Sequence, residues 1–350
     1  MFRSISRVTR DKLNRENKTE DIVKRLGVIV PNRVHLKKYP IGNPVTIFNP
    51  SMIIENNIVS IYSRITVGYY TYASSVVEIK IPFEEVKTLT LGKYTGEIAV
   101  FPDNRFDLYG VEDPRVYEID GKKFMTYCGR TVDYFNPVIR TERTLPITAI
   151  FENGRWKKIC VLRMPPKLRN SVVSDKNAFL IKIRDKLKLF HRLHLKDERF
   201  YLVISNVPKN ILNHEFAEIT VEDTTLALEH AKFEDKIGWG PPPVRVGKEY
   251  LFLLHSVVTE TKQYKVFAIL MNDELEITAI TPHYIMGPKE IYERYGDRPF
   301  VVFPCGAQLV DNKLLISYGA ADFAVGVGEI DINELLSILD SNRVNKFPSK

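Results

Sequence analysis

Three features that would place a protein in a membrane, in an oxidising compartment or at a metal are missing from this sequence. No uncharged apolar run approaches the about 20 residues that a membrane helix needs, and residues 1–27 contain no apolar core of a signal sequence. The three cysteines, Cys128, Cys160 and Cys305, lie far apart and have no metal-ligand spacing. We therefore expect a cytoplasmic protein with reduced thiols, bound to neither a membrane nor a metal.

No segment concentrates charge of one sign. The chain has 350 residues, of which 44% are hydrophobic and 27% charged, and this composition is typical of a soluble globular protein. Lys and Arg alternate with Asp and Glu, for example over 11–21 and 290–298, whereas nucleic-acid binding needs a basic patch. The net charge of +7 therefore predicts no nucleic-acid partner and leaves a small anion such as phosphate as the alternative.

A hairpin pattern recurs five times along the chain. In each copy a Gly, Asn or Asp, which tolerates the backbone angles of a tight turn, precedes a run of residues with strand propensity. An apolar stretch also lies before each turn, and successive turns are 65, 64, 62 and 65 positions apart. The turn residues are Asn56, Gly121, Asp185, Gly247 and Asn312. Further strand-like runs lie between the hairpins, at 76–81, 146–151, 199–205 and 264–271.

This regular period indicates a repeat architecture. A β-solenoid would need capping repeats, whereas a closed ring of four-stranded blades has no exposed ends. We therefore predict an all-β fold, a five-bladed β-propeller with short terminal helices. Its predicted organisation is a charged N-terminal extension over 1–35, the propeller over 36–330, and a helix with a tail over 331–350.

Helix signals are few. Asp331, with Glu334 three positions later, is a capping-box arrangement in front of an apolar run and predicts a helix there. Residues 11–26 and 208–230 are two further segments in which we expect helix. No linker rich in Gly, Ser or Pro interrupts the repeat, so we expect one domain.

The repeat places polar side chains at equivalent points of the hairpins. Because the innermost strands of a propeller run beside its axis, such residues should meet in one cavity. The aligned residues are Arg64, Arg130, His191, Arg192, His255 and Asp322, with Asn49, Asp113 and Lys176 on the inner edges. Buried like charges are costly unless they are paired or bind an anion, so the cluster predicts a site for a phosphate, sulfate or carboxylate group.

Five short motifs carry a resemblance to a known family. They are Asn49-Pro50, Glu112-Asp113-Pro114-Arg115, and the stretches GWGPP at 238–242, VFPCG at 302–306 and YGAAD at 318–322. Together, on a five-fold repeat, they resemble glycoside hydrolase family 130. The resemblance implies a five-bladed propeller that carries out reversible, inverting phosphorolysis of β-mannosides. It also implies α-mannose 1-phosphate as a product, with inorganic phosphate as co-substrate and no cofactor.

The resemblance further implies roles for individual residues. Asp113 matches the general acid, which in the family protonates the glycosidic oxygen through the 3-hydroxyl of the sugar. The residues that match the mannosyl-binding pocket are Asn49, Arg64, His255 and Asp322. The residues that match phosphate ligands are Arg130, Lys176 and Arg192.

The residue inventory agrees with phosphorolysis. An inverting hydrolase needs two carboxylates, typically about 6.5–9.5 Å apart, one of which activates water. Phosphate is already a nucleophile, so a single acid and a set of cations that position the phosphate can suffice. Two alternatives remain open, an inverting β-mannosidase and a carbohydrate-binding propeller without turnover. Asp113 and Arg115 could also be an ion pair that braces a turn. The expected partners are a mannoside or oligosaccharide and phosphate, and whether the chain forms a homo-oligomer is open.

Overall fold

Five mainly antiparallel β-sheets form the fold. The computed structural model describes residues 2–4, 14–208, 211 and 215–344. Two N-terminal strands, β1 (Arg3–Ser4) and β2 (Lys24–Ile29), precede the first sheet in the sequence. The inner part of each sheet contacts the next sheet, and the first contacts the fifth, so the sheets close into a ring. The predicted five-bladed β-propeller is confirmed.

Blades 1 and 2 are both five-stranded. From the outer edge inward, the strands of blade 1 are β3 (Val34–Leu36), β7 (Tyr94–Val100), β6 (Ser74–Pro82), β5 (Ile58–Thr66) and β4 (Thr46–Glu55). In the same order, blade 2 contains β15 (Ala217–Thr220), β11 (Arg155–Arg163), β10 (Thr144–Glu152), β9 (Lys122–Arg130) and β8 (Val111–Ile119). The outermost strand of each is parallel to its neighbour, and the other pairs are antiparallel.

Blades 3 to 5 complete the ring. From the outer edge inward, blade 3 contains β1, β16 (Glu222–Leu228), β14 (Phe200–Val207), β13 (Lys186–Leu195) and β12 (Val172–Ile183). Blade 4 contains β21 (Ile277–Ile280), β20 (Tyr264–Met271), β19 (Glu249–Val258) and an interrupted inner strand, β17 (Glu234–Trp239) with β18 (Val244–Val246). Blade 5 contains β2, β24 (Ala324–Asp331), β23 (Lys313–Ala320) and β22 (Val302–Val310).

The five predicted hairpins are the two inner strands of each blade, and the turns of the first two have the expected backbone. Asn56 and Asn57 have φ of 49° and 61°, and Asp120 and Gly121 have φ of 50° and 71°. A two-residue hairpin turn of the I′ type requires positive φ at both positions, which Asn, Asp and Gly tolerate best. Local turn chemistry therefore sets where these two hairpins reverse.

The N-terminal strand closes the ring. Strand β2 pairs antiparallel with β24, from Lys24 opposite Glu329 to Ile29 opposite Val325. The sheets of the propeller thus include residues 24–29 of the segment that was predicted to be a separate extension over 1–35. The outer edge of blade 5 would otherwise lack a hydrogen-bonding partner, and this edge recruits the N-terminal segment.

Two of the helix predictions are wrong in the described residues, and the third is confirmed. The described part of 11–26, residues 14–26, contains no helix, and 208–230 contains strands β15 and β16. Residues 11–13, 209–210 and 212–214 lie outside the described residues. In both segments pairing with a blade edge overrides the local helical preference, as tertiary context commonly does. The carboxylate of Asp331 accepts hydrogen bonds from the backbone N–H of Asn333 and Glu334 and caps a C-terminal helix.

The helices are short, and none in the described part of the chain has the length and apolar character to cross a membrane. In the described ranges the α-helices are α1 (Pro166–Arg169), α2 (Ile291–Arg294) and α3 (Ile332–Asp340), and Pro31–Arg33 and Phe83–Leu91 are 3₁₀ segments. The hydrophobic core lies between neighbouring blades. In blades 3 and 4 it is built around the fully buried Trp239, whose indole packs edge-on against Phe190 at a ring distance of 5.0 Å. The three cysteines are buried free thiols.

Candidate active site

A cavity of about 600 Å³ lies where the inner strands meet, and every blade contributes to its wall. Seven of the eight predicted site residues line it: Asn49, Arg64, Asp113, Arg130, Lys176, Arg192 and Asp322. Aromatic side chains complete the wall, among them Phe48, Tyr264 and Phe303. The ring therefore brings residues that are up to 273 positions apart in the sequence into one polar cavity.

The inner strands of blades 1 to 3 contain a β-bulge at equivalent positions, and the bulge directs one polar side chain to the cavity. The strand registers break between Phe48 and Ser51, between Glu112 and Arg115, and between Lys176 and Phe179. The bulged residues Asn49, Asp113 and Asn177 have φ of 48°, 50° and 57°. Asn and Asp are the residues other than Gly that adopt this left-handed region most readily. Asn177 was not among the predicted residues, although its spacing of 64 from Asp113 equals that of Asp113 from Asn49.

Asp113 is held from two sides. Its Oδ1 accepts hydrogen bonds from Asn49 Nδ2 at 2.8 Å and from Arg64 Nη1 at 3.3 Å. Arg115 is almost fully buried and donates to the backbone carbonyl of Asp113 at 2.7 Å, and also to the carbonyls of Trp239 and Gly240. The alternative that Asp113 and Arg115 form an ion pair is therefore wrong. Arg115 instead fixes the left-handed backbone of Asp113 and thereby the position from which its carboxylate extends.

Glu112 connects three of the cations and was not predicted as a site residue. Its Oε1 accepts from Arg64 Nη2 at 3.0 Å and from Arg130 Nε at 2.7 Å, and its Oε2 accepts from Lys176 Nζ at 3.0 Å. Burial alone would raise the pKa of this carboxyl, but the charges of Arg130, Arg64 and Lys176 hold it well below its usual range. Glu112 is thus ionised and sets the positions of two predicted phosphate ligands. Its place three residues before Arg115 in the EDPR motif carries no signal of this role.

Two cations on the opposite side of the cavity have no carboxylate partner in the part of the chain that the structure describes. Arg192 is 7% exposed, its Nε is buried without a hydrogen-bond acceptor, and its guanidinium lies 5.4 Å from the Phe200 ring. Lys236 has its Nζ 4.9 Å from the same ring. Burial lowers the pKa of Arg192, and burial together with the charges of Arg192, Arg298 and Lys176 lowers that of Lys236 to about 7. Lys236 was not predicted, because it lies outside the hairpin positions that were aligned.

Asp322 faces the same cavity from blade 5. Removal from bulk water raises the pKa of its carboxyl to about 6, against the attraction of Arg298 and Arg64. Its backbone φ of 49° is again left-handed. Asp322 therefore changes its charge within a pH range in which the protein can be assayed.

These features agree with a match over most of the chain to one family model. The model is that of glycoside hydrolase family 130, described as beta-1,4-mannooligosaccharide phosphorylase, and it matches residues 13–341. The chain belongs to this family. The resemblance that was read from the motifs is thereby confirmed, and the predicted class of enzyme, a glycoside phosphorylase, agrees with the curated relatives.

Three of the similar proteins illustrate the range of the relationship. A 1,2-beta-oligomannan phosphorylase from Thermoanaerobacter sp. (strain X514) is 28% identical over 235 residues, which are 65% of this chain and 71% of the relative. A beta-1,2-mannobiose phosphorylase from the same organism is 25% identical over 316 residues, 85% of this chain and 96% of the relative. The solved beta-1,2-mannobiose phosphorylase from Listeria innocua, in complex with beta-1,2-mannobiose, has a TM-score of 0.69 at 18% identity and covers 91% of this chain and 99% of its own. At that identity the structural likeness supports the fold alone.

For this member of family 130, the position of His255 differs from the prediction. The side chain is fully buried and does not line the cavity. Its ring packs 4.3 Å from Phe303 and 5.9 Å from Tyr264, which themselves form the wall, so His255 lies one layer behind them. Burial holds the pKa of His255 well below its usual range, and neither ring nitrogen has a hydrogen-bond partner in the part of the chain that the structure describes. The aligned His191 is also fully buried, with its Nδ1 2.9 Å from Asp175.

A second cavity of about 500 Å³ adjoins the first between blades 2 and 3. The two cavities share a wall that includes Arg130, Tyr134, Lys176 and His194. The opposite wall of the second cavity is formed by the 131–143 segment, in which Phe135, Asn136 and Pro137 line the cavity. Arg143 donates to carbonyl groups of this segment, those of Asp133, Tyr134, Asn136 and Ile139. No group of three or more His, Cys, Asp or Glu side chains in the described ranges is arranged to hold a metal ion.

Proposed function

We propose that this protein carries out inverting phosphorolysis of β-mannosides, in which a mannosyl unit passes to inorganic phosphate. The products are α-mannose 1-phosphate and a saccharide that is shorter by one unit. The observation that supports this most strongly is a pair of cations in the cavity of a family 130 chain, the buried Arg192 and the half-buried Lys236, which have no carboxylate partner among the described residues. A cation that is removed from water without a counter-ion is costly, and a bound phosphate dianion offsets that cost.

The proposed reaction divides the cavity into two sides. Asn49, Arg64 and Asp322 hold the mannosyl unit, and Asp113 supplies the proton to the departing glycosidic oxygen. Phosphate is held by a group of four cationic side chains and attacks the anomeric carbon from the opposite face. The bond from that carbon to the glycosidic oxygen breaks as the bond to a phosphate oxygen forms, and the configuration inverts. The phosphate-binding residues in this proposal are Arg130, Lys176, Arg192 and Lys236.

The residues around Asp113 support this division. Arg115 fixes the backbone of the acid through its carbonyl, and Asn49 fixes the side chain, so little reorganisation is needed when substrate binds. Glu112 holds Arg130 and Lys176 at the border between the two sides. Cations that are already in position stabilise developing negative charge more effectively than cations that must move first.

The adjoining cavity is proposed to accept the remaining sugar units. Two of its cationic side chains, Arg130 and Lys176, are shared with the proposed phosphate site. The other two are engaged, Arg140 by Glu198 and Arg143 by carbonyl groups. A neutral ligand therefore fits it better than a second anion. Phe135, 62% exposed, offers an aromatic face against which the apolar side of a sugar ring can pack.

The linkage is proposed to be β-1,2. Both Thermoanaerobacter relatives are named for β-1,2-linked substrates, whereas the family description names β-1,4-linked ones. β-1,2-mannobiose and β-1,4-mannobiose should therefore be compared directly, and we expect faster phosphorolysis of the first.

The experiment that tests the proposal is incubation of the protein with each disaccharide, with and without inorganic phosphate. We expect α-mannose 1-phosphate only when phosphate is present, and phosphate release when α-mannose 1-phosphate is supplied with mannose. Formation of free mannose at the same rate without phosphate would instead identify a β-mannosidase. Binding of the disaccharide without any product would identify a carbohydrate-binding module.

Replacement of the proposed general acid is the second part of this test. Asp113→Asn should abolish turnover while the far-ultraviolet circular dichroism and the unfolding midpoint stay close to those of the wild type. An active Asp113→Asn enzyme would contradict the assignment of the general acid. Asp103→Asn, at an exposed position outside the cavity, is the matched control and should remain active.

A further inference from the structure

The N-terminal segment over 14–29 contacts blades 4 and 5, and both of these blades contribute to the cavity wall. The backbone N–H of Glu16 donates to Pro282, that of Glu20 to Tyr284 and that of Ile22 to Ile285, at 2.7–3.1 Å. The segment then continues into β2 and closes blade 5. It thus passes from the outer part of blade 4 to the outer edge of blade 5.

Within this segment, Arg15 is buried against blade 4. Its side chain is 3% exposed, and its Nη1 donates to Glu234 Oε1 at 2.8 Å. The guanidinium lies 3.7 Å from the centre of the Phe267 ring and 5.3 Å from that of Tyr284. Glu234 also accepts from Tyr284 Oη at 2.8 Å and from the backbone N–H of Ala231 at 2.8 Å. Three donors therefore fix the Glu234 carboxylate, and among these three only Arg15 carries a full charge.

A bulge links Glu234 to the cavity. Glu234 lies opposite Val258 on β19, whereas Lys236 lies opposite Val257, so Asp235 is an extra residue in β17. Because Val257 and Val258 are consecutive, their side chains point to opposite faces of the sheet. Glu234 therefore points towards Arg15, and Lys236 points to the other face, where Val257 packs with Tyr264 and Phe303 of the cavity wall.

A second buried arginine of the same segment anchors the neighbouring wall. Arg25 donates to Glu293 Oε1 at 3.0 Å and to the carbonyl of Gly287 at 2.8 Å. Glu293 belongs to α2, and the residues that follow it carry Asp297 and Arg298 to the cavity. The N-terminal segment is thus fixed to two of the elements that carry charged residues to the cavity wall on the blade 4 and blade 5 side.

We propose that Arg15 is a positioning residue for phosphate binding. Its ion pair with Glu234 fixes the bulge in β17, and the bulge directs Lys236 into the cavity. This inference rests on the proposed function, in which Lys236 binds phosphate. Arg15 itself contacts neither substrate, and its effect passes through the strand.

The test uses the double variant Arg15→Met with Glu234→Gln, because a single replacement would leave a buried charge without a partner. In the double variant the KM for phosphate should rise about tenfold, the loss that corresponds to a weakened hydrogen bond to a charged group. The KM for the mannoside should stay within about twofold of the wild type, since Arg15 is remote from the residues proposed to bind the sugar. Stabilisation of the folded enzyme by phosphate alone, read as the shift in unfolding midpoint, should fall in parallel.

Two further variants make the result specific. Lys24→Met removes an exposed ion pair from the same segment, with Glu329 at 3.0 Å, and should leave both KM values unchanged. Arg15→Lys keeps the charge and should restore part of the phosphate affinity; it also carries the test if the double variant does not fold. An unchanged phosphate KM in the double variant, or an equal rise of both KM values, would refute the positioning role. A wild type that forms no α-mannose 1-phosphate would instead refute the proposed function.

Discussion

Replacement of Glu112 by Gln should destabilise the protein and make its stability depend strongly on phosphate. Gln keeps the shape of the side chain but removes the negative charge that Arg64, Arg130 and Lys176 share at 2.7–3.3 Å. Arg130 and Lys176 are then left in the cavity wall without this carboxylate, and Arg64 keeps only its bond to Asp113 at 3.3 Å. The loss in the free energy of unfolding should therefore be about 3–5 kcal/mol, as for other broken buried pairs.

A bound phosphate can supply the missing negative charge. At 100 times its dissociation constant, a ligand that binds only the folded state adds about 2.7 kcal/mol. Since the variant cavity is more positive by one charge, phosphate should bind it more tightly than the wild type and recover much of the loss. The assay is urea-induced unfolding at neutral pH, with and without phosphate, for the wild type and for Glu112→Gln.

The pH dependence of stability gives an independent check on the contribution of Glu112. The folded state lowers the pKa of Glu112, so its contribution to stability is complete above the ordinary pKa and disappears as the pH falls through the lowered one. The difference in stability between the two proteins should therefore be largest near neutrality and shrink in acid. Glu55→Gln, in an exposed pair with Lys123, is the control and should cost no more than about 1 kcal/mol. A loss below that value for Glu112→Gln, with equal stabilisation of both proteins by phosphate, would refute the reasoning.

Three further predictions concern the two sides of the cavity and the adjoining second cavity. Lys236→Met should raise the KM for phosphate by about 10- to 100-fold, because one hydrogen bond from a charged donor is lost, and should change the KM for the mannoside much less. The KM of the wild type for the mannoside should rise as the pH falls through about 6, where Asp322 becomes protonated, and Asp322→Asn should remove this dependence. Phe135→Ala should raise the KM for a mannotriose about fivefold, the equivalent of one aromatic contact of ~1 kcal/mol, with a smaller effect on the disaccharide.

Each of these has a matched control in steady-state assays. Lys262 forms an exposed ion pair with Asp235, the residue before Lys236, and does not line the cavity. Lys262→Met should therefore leave phosphate binding intact. Phe101→Ala removes an exposed aromatic residue that lines neither cavity and should not distinguish the two saccharides. A phosphate KM that Lys236→Met leaves unchanged would remove Lys236 from the phosphate site. An acid limb that persists in Asp322→Asn would assign it to another group.

The hairpins could be predicted because their signals are local. A tight turn selects Asn, Asp or Gly within two positions, strand propensity follows immediately, and five copies at a near-constant spacing fix the number of blades. The same spacing identified Asn49 and Asp113, whose bulges recur 64 positions apart, and it also contained Asn177, which was overlooked. Residue type and period, read from the chain alone, thus determined the fold and most of the cavity wall.

Only the tertiary structure decided which charges pair and which remain free. Glu112 engages Arg64, Arg130 and Lys176, while Arg192 and Lys236 have no carboxylate partner among the described residues. Nothing in the spacing distinguishes these two groups. His255 shares the aligned position of the cavity residues, yet Phe303 covers it. The physical reason is that pairing depends on distances across blades, and these follow from ring closure, bulges and side-chain packing. The strand that closes blade 5 was missed for the same reason, because an unpaired sheet edge exists only once the other blades have formed.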